Sequence, residues 1–233
     1  MIHNAAQTIQ RPPGFYRVLQ VQEERMLSLP AQRLVAQPTQ PLRESNLLPA
    51  ALTDVLPLTE MHDREERVDR REVNSWLLPI EAVGPREMLE VQLVNAIAPF
   101  LLNGRLKPLM LRSPHQRRFI VNVSAMEGQF SRHKTVNHPH TNMAKASLNM
   151  MTHTCAAGYA ADGIYMNSVD TGWITDENPT SMRLRKQEEL GFFAPLDVID
   201  GMARIYHPVA HGVDPAATPI FGQFLKDYVA CKW

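Results

Sequence analysis

Arg118-Phe119-Ile120-Val121-Asn122-Val123-Ser124 opens the stretch, running on to Thr154, whose reading decides the fold. Phe119 to Val123 is too short for a helix and rich in β-branched residues, which predicts a strand buried on both faces. A polar, punctuated segment follows to Pro139, and from His140 the apolar residues Ala144, Leu148, Met151 and Cys155 recur at helical spacing. Pro139 suits a first helical turn, with His138 at the capping position. Gly163-Ile164-Tyr165-Met166-Asn167-Ser168-Val169 is the next expected strand. Strand, loop, amphipathic helix and strand make a βαβ crossover, so the sheet is expected to be parallel.

Upstream, Pro85 begins a helix with Glu87 and Glu90 near its start, where the dipole favours them, and Met88, Val91, Val94, Ala98 and Leu102 form its stripe. Asn95 falls on the edge of that stripe, and Pro99 is expected to kink the helix just after it. Leu101 to Met110 then leads to the central strand. Trp76 to Val83 reads as a short extra strand or a docking segment. From Gln7 to Pro57 the chain is rich in Pro, Gln and Leu and reads as short helices and loops. The run His62 to Glu72 alternates in sign, which favours a solvated face over a nucleic-acid patch. Downstream, Asp176 to Glu189 reads as a polar flap or surface loop, Leu196 to Ile205 as a helix and Ile220 to Leu225 as a last strand.

At 233 residues the chain can bury a sizeable core. Lys plus Arg equals Asp plus Glu, 24 of each, so no overall field favours nucleic acid. No apolar run suggests a membrane span, and the N-terminus lacks the pattern of a secretory signal. Two distant cysteines, Cys155 and Cys231, fit thiols in a reducing compartment, and a cytoplasmic protein is expected.

Three segments together resemble the second half of a short-chain dehydrogenase/reductase: Ile120-Val121-Asn122-Val123-Ser124 with Gly128, then Thr141 through Lys145, then Asn167 through Trp173. Ile2-His3-Asn4-Ala5-Ala6 extends the likeness, resembling the Asn-Asn-Ala-Gly segment that ends the family's fourth strand. The family's first three strands and its Gly-rich phosphate turn would precede this point. No stretch of the sequence places several glycines between a strand and a helix start, so no substitute for that turn is found. The fold expected is therefore α/β: an incomplete doubly wound, Rossmann-like parallel sheet lacking the first βαβ units, with its first strand left as an edge. The whole of 1–233 is expected to be one domain, with 7–84 a variable loop and helix insertion and 85–233 the core.

The resemblance implies NAD(P)-dependent hydride transfer to or from a small-molecule carbonyl or alcohol. It implies a catalytic set of Asn95, Ser124, Thr141 and Lys145, and cofactor contacts from Asn4, Ala5, Lys145, Thr171 and Gly172. Two of the four catalytic positions depart from the family. Where the family has the Tyr of Tyr-x-x-x-Lys, this chain has Thr141, and an aliphatic hydroxyl is far less acidic than a phenol of pKa about 10. The family's catalytic hydroxyl sits one residue beyond Ser124, at Ala125, though Ser124 could reach a substrate carbonyl if the strand end is shifted. His138 and His140 are the nearest replacement acids, His138 about two turns from Lys145 and His140 rotated off its face. His133, His138 and His140 have no acidic or Cys partner at ligand spacing, so no metal site is expected. Two readings stand: an oxidoreductase with impaired NAD or NADP chemistry, or a non-catalytic binding or scaffold relative, a truncated pseudoenzyme. A homodimer through the helices at Pro85–Met110 and His140–Ala160 is implied by resemblance alone.

Overall fold

A computed structural model describes residues 1–4, 7–11 and 71–233. The chain divides into two compact units, one of Met1–Gln10, Val73–Asn178 and Arg183–Trp233, the other of Arg11–Glu72 with Pro179–Met182. The second unit falls almost wholly outside the described residues, as do Ala5 and the sequence readings made for residues 12–70.

The first unit is built on a five-stranded sheet in the order β1 (Ile2–His3), β2 (Arg118–Ser124), β3 (Ile164–Asp170), β4 (Phe224–Lys226), β5 (Val229–Cys231). The first four strands are parallel and β5 is antiparallel to β4. The expected α/β, Rossmann-like sheet is present. The β-branched run fixes β2 at its centre, and alternate residues supply two cores, as a strand covered on both faces must. Ile120 joins Ile164, Met166 and Ala156 on one face, while Val121 joins Val169 and Leu225 on the other. Among the described residues β1 and β5 are the edge strands.

Among the described residues there are five α-helices, α1 (Pro85–Gln92), α2 (Ala98–Leu111), α3 (Pro139–Ala161), α4 (Thr180–Leu190) and α5 (Val198–Val213), of which α3 and α5 pack on β2 and β3. Between α1 and α2 the chain makes a π-turn, Leu93–Ile97, in which the Ala98 amide reaches back five residues to the Leu93 carbonyl. Pro99 has no N–H to offer the Asn95 carbonyl, so the ladder widens around Asn95 instead of kinking after it. Helix α3 buries His140, Thr141, Ala144, Lys145, Leu148, Asn149, Thr152 and Ala156. Its buried stripe is thus rotated one residue from the expected Met151 and Cys155, because polar Thr152 and Asn149 find partners or packing against β2 and its following turn. Helix α5 begins with a capping box at Asp197 and Asp200. It packs so closely that Gly212 lies against the Phe119 ring.

Several expectations are corrected. Trp76 to Val83 forms two 3₁₀ turns, Ser75–Leu77 and Ile80–Ala82, and no strand. The polar segment expected as a flap or loop contains α4, whose described residues are none of them buried, which is why no apolar stripe announces it. Helix α5 starts later and runs further than Leu196–Ile205. The last strand is displaced to Phe224–Lys226 and folds back through Asp227 and Tyr228, both at positive φ, into β5. His138 stands at the N-cap position of α3 as expected, at a left-handed φ of 42°, but its side chain makes no cap bond and its ring stacks on Trp76 instead.

Candidate functional site

The carboxyl ends of β2 and β3 converge where open parallel sheets bind ligands. Ser124 and Asp170 are paired neighbours there. From α3, the Lys145 ammonium donates to the Val123 carbonyl at 3.0 Å. Lys145 is only 6% exposed, and burial lowers its pKa to about 8 against the opposing pull of Glu127 and Asp170. Gly128 lets the loop after β2 lie on the helix: a Cβ there would stand 2.7 Å from the Lys145 backbone and the Asn149 amide. Ser124 Oγ and both amide atoms of Asn149 are buried without hydrogen-bond partners.

Asn95 and Thr141 are brought together differently, through one short segment. Asn95 Nδ2 donates to the Gln7 carbonyl at 2.7 Å and to the Val91 carbonyl at 2.9 Å. Thr141 Oγ1 donates to the next carbonyl, Thr8, at 3.0 Å. Thr141 is 3% exposed, so its hydroxyl is both sealed and committed. Asn95 Oδ1 remains buried and unpartnered. The four predicted catalytic positions therefore form two pairs, Ser124 with Lys145 at the end of β2 and Asn95 with Thr141 on Gln7 and Thr8.

Of the predicted cofactor contacts, Asn4 is exposed beyond β1. The Thr171 hydroxyl donates to the Gly172 carbonyl at 3.3 Å, and the Gly172 N–H donates to Asp170 Oδ1 at 2.7 Å. Gly172 has φ +79 and no room for a side chain against Leu196, whose N–H donates to the Trp173 carbonyl. The segment that leaves the sheet at Trp173 is thereby stapled at its base, and the Trp173 and Phe192 rings meet there at 4.9 Å.

Asp170 and Lys226 carry no role in the sequence reading, yet they form a buried ion pair at 3.0 Å across β3 and β4, with side chains 4% and 19% exposed. Asp170 thus holds Lys226, the Gly172 turn and, through its field, Lys145. Only the register of β3 on β4 joins residues so far apart in sequence. The histidines also part company. His138 stacks on Trp76 at 3.9 Å and its Nδ1 bonds the Trp76 carbonyl. His140 is 2% exposed with both ring nitrogens unpartnered. Burial lowers its pKa, with the Glu87 carboxylate of α1 opposing. His140 therefore sits on the α1 side of α3, not with Lys145. No group of three or more His, Cys, Asp or Glu among the described residues is placed to hold a metal ion.

Residues 77–192 match a family model described as enoyl-(acyl carrier protein) reductase. An uncharacterised protein of Acanthamoeba polyphaga mimivirus is 34% identical over 150 residues, covering 61% of this chain and 31% of that protein. Among solved structures, the carbonyl reductase Sniffer of D. melanogaster is similar at 21% identity and a TM-score of 0.51, over 67% of this chain and 61% of that one. An NADPH-bound carbonyl reductase from chicken fatty liver is 19% identical with a TM-score of 0.48, over 72% of this chain and 64% of that one. The chain spans about a third of the mimivirus protein and three fifths of Sniffer. It holds a partial short-chain dehydrogenase/reductase-like region, corresponding to the C-terminal part of that domain. No described helix is long and apolar enough to cross a membrane.

Proposed function

We propose that this chain is a short-chain dehydrogenase/reductase-type oxidoreductase scaffold in which NAD(P)-linked hydride transfer, to or from a small carbonyl or alcohol, is impaired at proton transfer. Thr141 carries this reading. It stands four residues before Lys145, where the family has its phenol, and its buried hydroxyl is spent on the Thr8 carbonyl. A donor that acidifies only far above neutrality, and that faces backbone, cannot deliver a proton to a substrate oxygen. Ala125 removes a second hydroxyl at the end of β2.

A bound nicotinamide would supply the hydride, but the described residues do not suit one. Lys145 is sealed and bonded to Val123, and the Gly172 N–H is turned onto Asp170. What the chain retains is a rigid sheet edge with a low-pKa amine and an orphaned serine hydroxyl beside it. Its two free cysteines accord with the cytoplasm as its place of action.

The test is a titration of the protein with NADPH and NADH, followed by nicotinamide fluorescence and by carbonyl reduction. Binding weaker than about 1 mM is expected, an interaction of roughly 4 kcal/mol. Micromolar affinity, or turnover in the ordinary enzymatic range of about 1–10³ per second, would overturn the reading. The sealing of Lys145 favours the non-catalytic alternative. The double variant Ala125→Ser/Thr141→Tyr separates the two: a gain in turnover at saturating NADPH marks an impaired enzyme, and continued silence marks a scaffold.

A further inference from the structure

Away from the carboxyl edge, α2 and α3 leave an apolar cavity of about 320 Å³ between them, floored by Met166 of β3. Met166 lies four residues before Asp170, about 13 Å along the strand from the candidate site. The cavity is at the small end of the range for ligand sites, and its walls include Leu101, Met151 and Cys155.

Its one charged lining residue is Arg105, exposed and without a hydrogen bond or ion pair among the described residues. The contrast with its neighbour is informative. Lys107, two residues on, is engaged twice, by Asp162 at 2.7 Å and by the Tyr159 ring at 4.5 Å. A free guanidinium beside an apolar hollow is complementary to a carboxylate with a hydrocarbon tail. Gly104 lines that hollow, and a Cβ there would meet nothing within 4 Å, so the space beside it is open.

We propose that this cavity binds a medium-chain fatty carboxylate, tail against Met166 and Met151 and headgroup on Arg105. This site is independent of the hydride-transfer reading. Equilibrium dialysis with labelled decanoate tests it, alongside the rate at which a thiol reagent modifies Cys155 in a Cys231→Ser background. Saturable one-to-one binding is expected, tightening about three- to fourfold per added methylene, with Cys155 modification slowed at least fivefold at saturation. Arg105→Gln is expected to weaken decanoate at least tenfold while leaving decanol unchanged. Gly104→Leu, which fills the hollow with a better helix former, is expected to abolish binding with the circular dichroism intact. Absence of saturable binding overturns the proposal. So does binding that survives Gly104→Leu or leaves Cys155 unprotected. Ligand-free protection of Cys155 that grows with protein concentration would mean that a second copy occupies this face, and would overturn it too.

Discussion

Lys145 is the residue whose surroundings say most. Unfolded, its amine keeps the proton up to an ordinary value of 10.5, whereas folded it releases it near 8. Between those values the unfolded chain binds more protons, so stability rises with pH across that window, and below it the full cost of burying the ammonium is present. The shift corresponds to roughly 3 kcal/mol. Urea unfolding at pH 7.5 and 10 is expected to show the gain in the wild type and lose it in Lys145→Met, which should be as stable or more so at the lower pH. His140 works in the acid range. Its folded pKa is depressed, so the neutral ring is favoured and stability falls as pH drops through and below about 6.5. His140→Leu is expected to flatten that acid limb, and an unchanged limb would show that the imidazole is not the group responsible. Lys145 and Thr141 were readable from their spacing on one helix. Asp170 with Lys226 was not, because an ion pair between two parallel strands leaves no periodic trace in either.

At the scale of elements, close approach and open space can be told apart by the same substitution. Gly128→Ala would drive a methyl into the Lys145 backbone at 2.7 Å, which cannot yield, and should cost toward the top of about 1–3 kcal/mol. Gly212→Ala meets the Phe119 ring at 2.3 Å, a side chain able to tilt, and should cost less. Gly104→Ala lies inside α2 with nothing near it and is expected to stabilise by about 0.5–1 kcal/mol. Asp197→Ala removes the capping box of α5 and should cost about 1 kcal/mol. Chemical denaturation of the four variants gives the ranking, and a Gly128→Ala variant as stable as wild type would contradict the packing of that loop on α3. The central βαβ unit was legible because a β-branched run and an apolar helical stripe have different periods. The β4–β5 hairpin was not, since Asp227 and Tyr228 take positive φ without the Gly or Asn that usually advertises such a turn.

For the molecule as a whole, β2 and β3 are the only described strands paired along seven residues, with helices over both faces. Native-state hydrogen exchange is expected to be slowest at Ile120–Val123 and Met166–Val169, and fast along β5, where Val229 is 61% exposed. The sheet's identity could be read from sequence, but whether it still does chemistry turns on which groups face which carbonyls, and spacing does not encode that. The widened turn around Asn95 makes the point sharply. It holds one more residue than a regular helix would, and that surplus aims the amide at Gln7. Deleting a single codon there would rewind the helix into an ordinary one and swing everything before it by about 100°, turning Val91 off the core and breaking the bond from Gln92 to the His140 carbonyl. Such a lesion would sever the bond between Asn95 and the first segment of the chain and would lower the melting temperature with it.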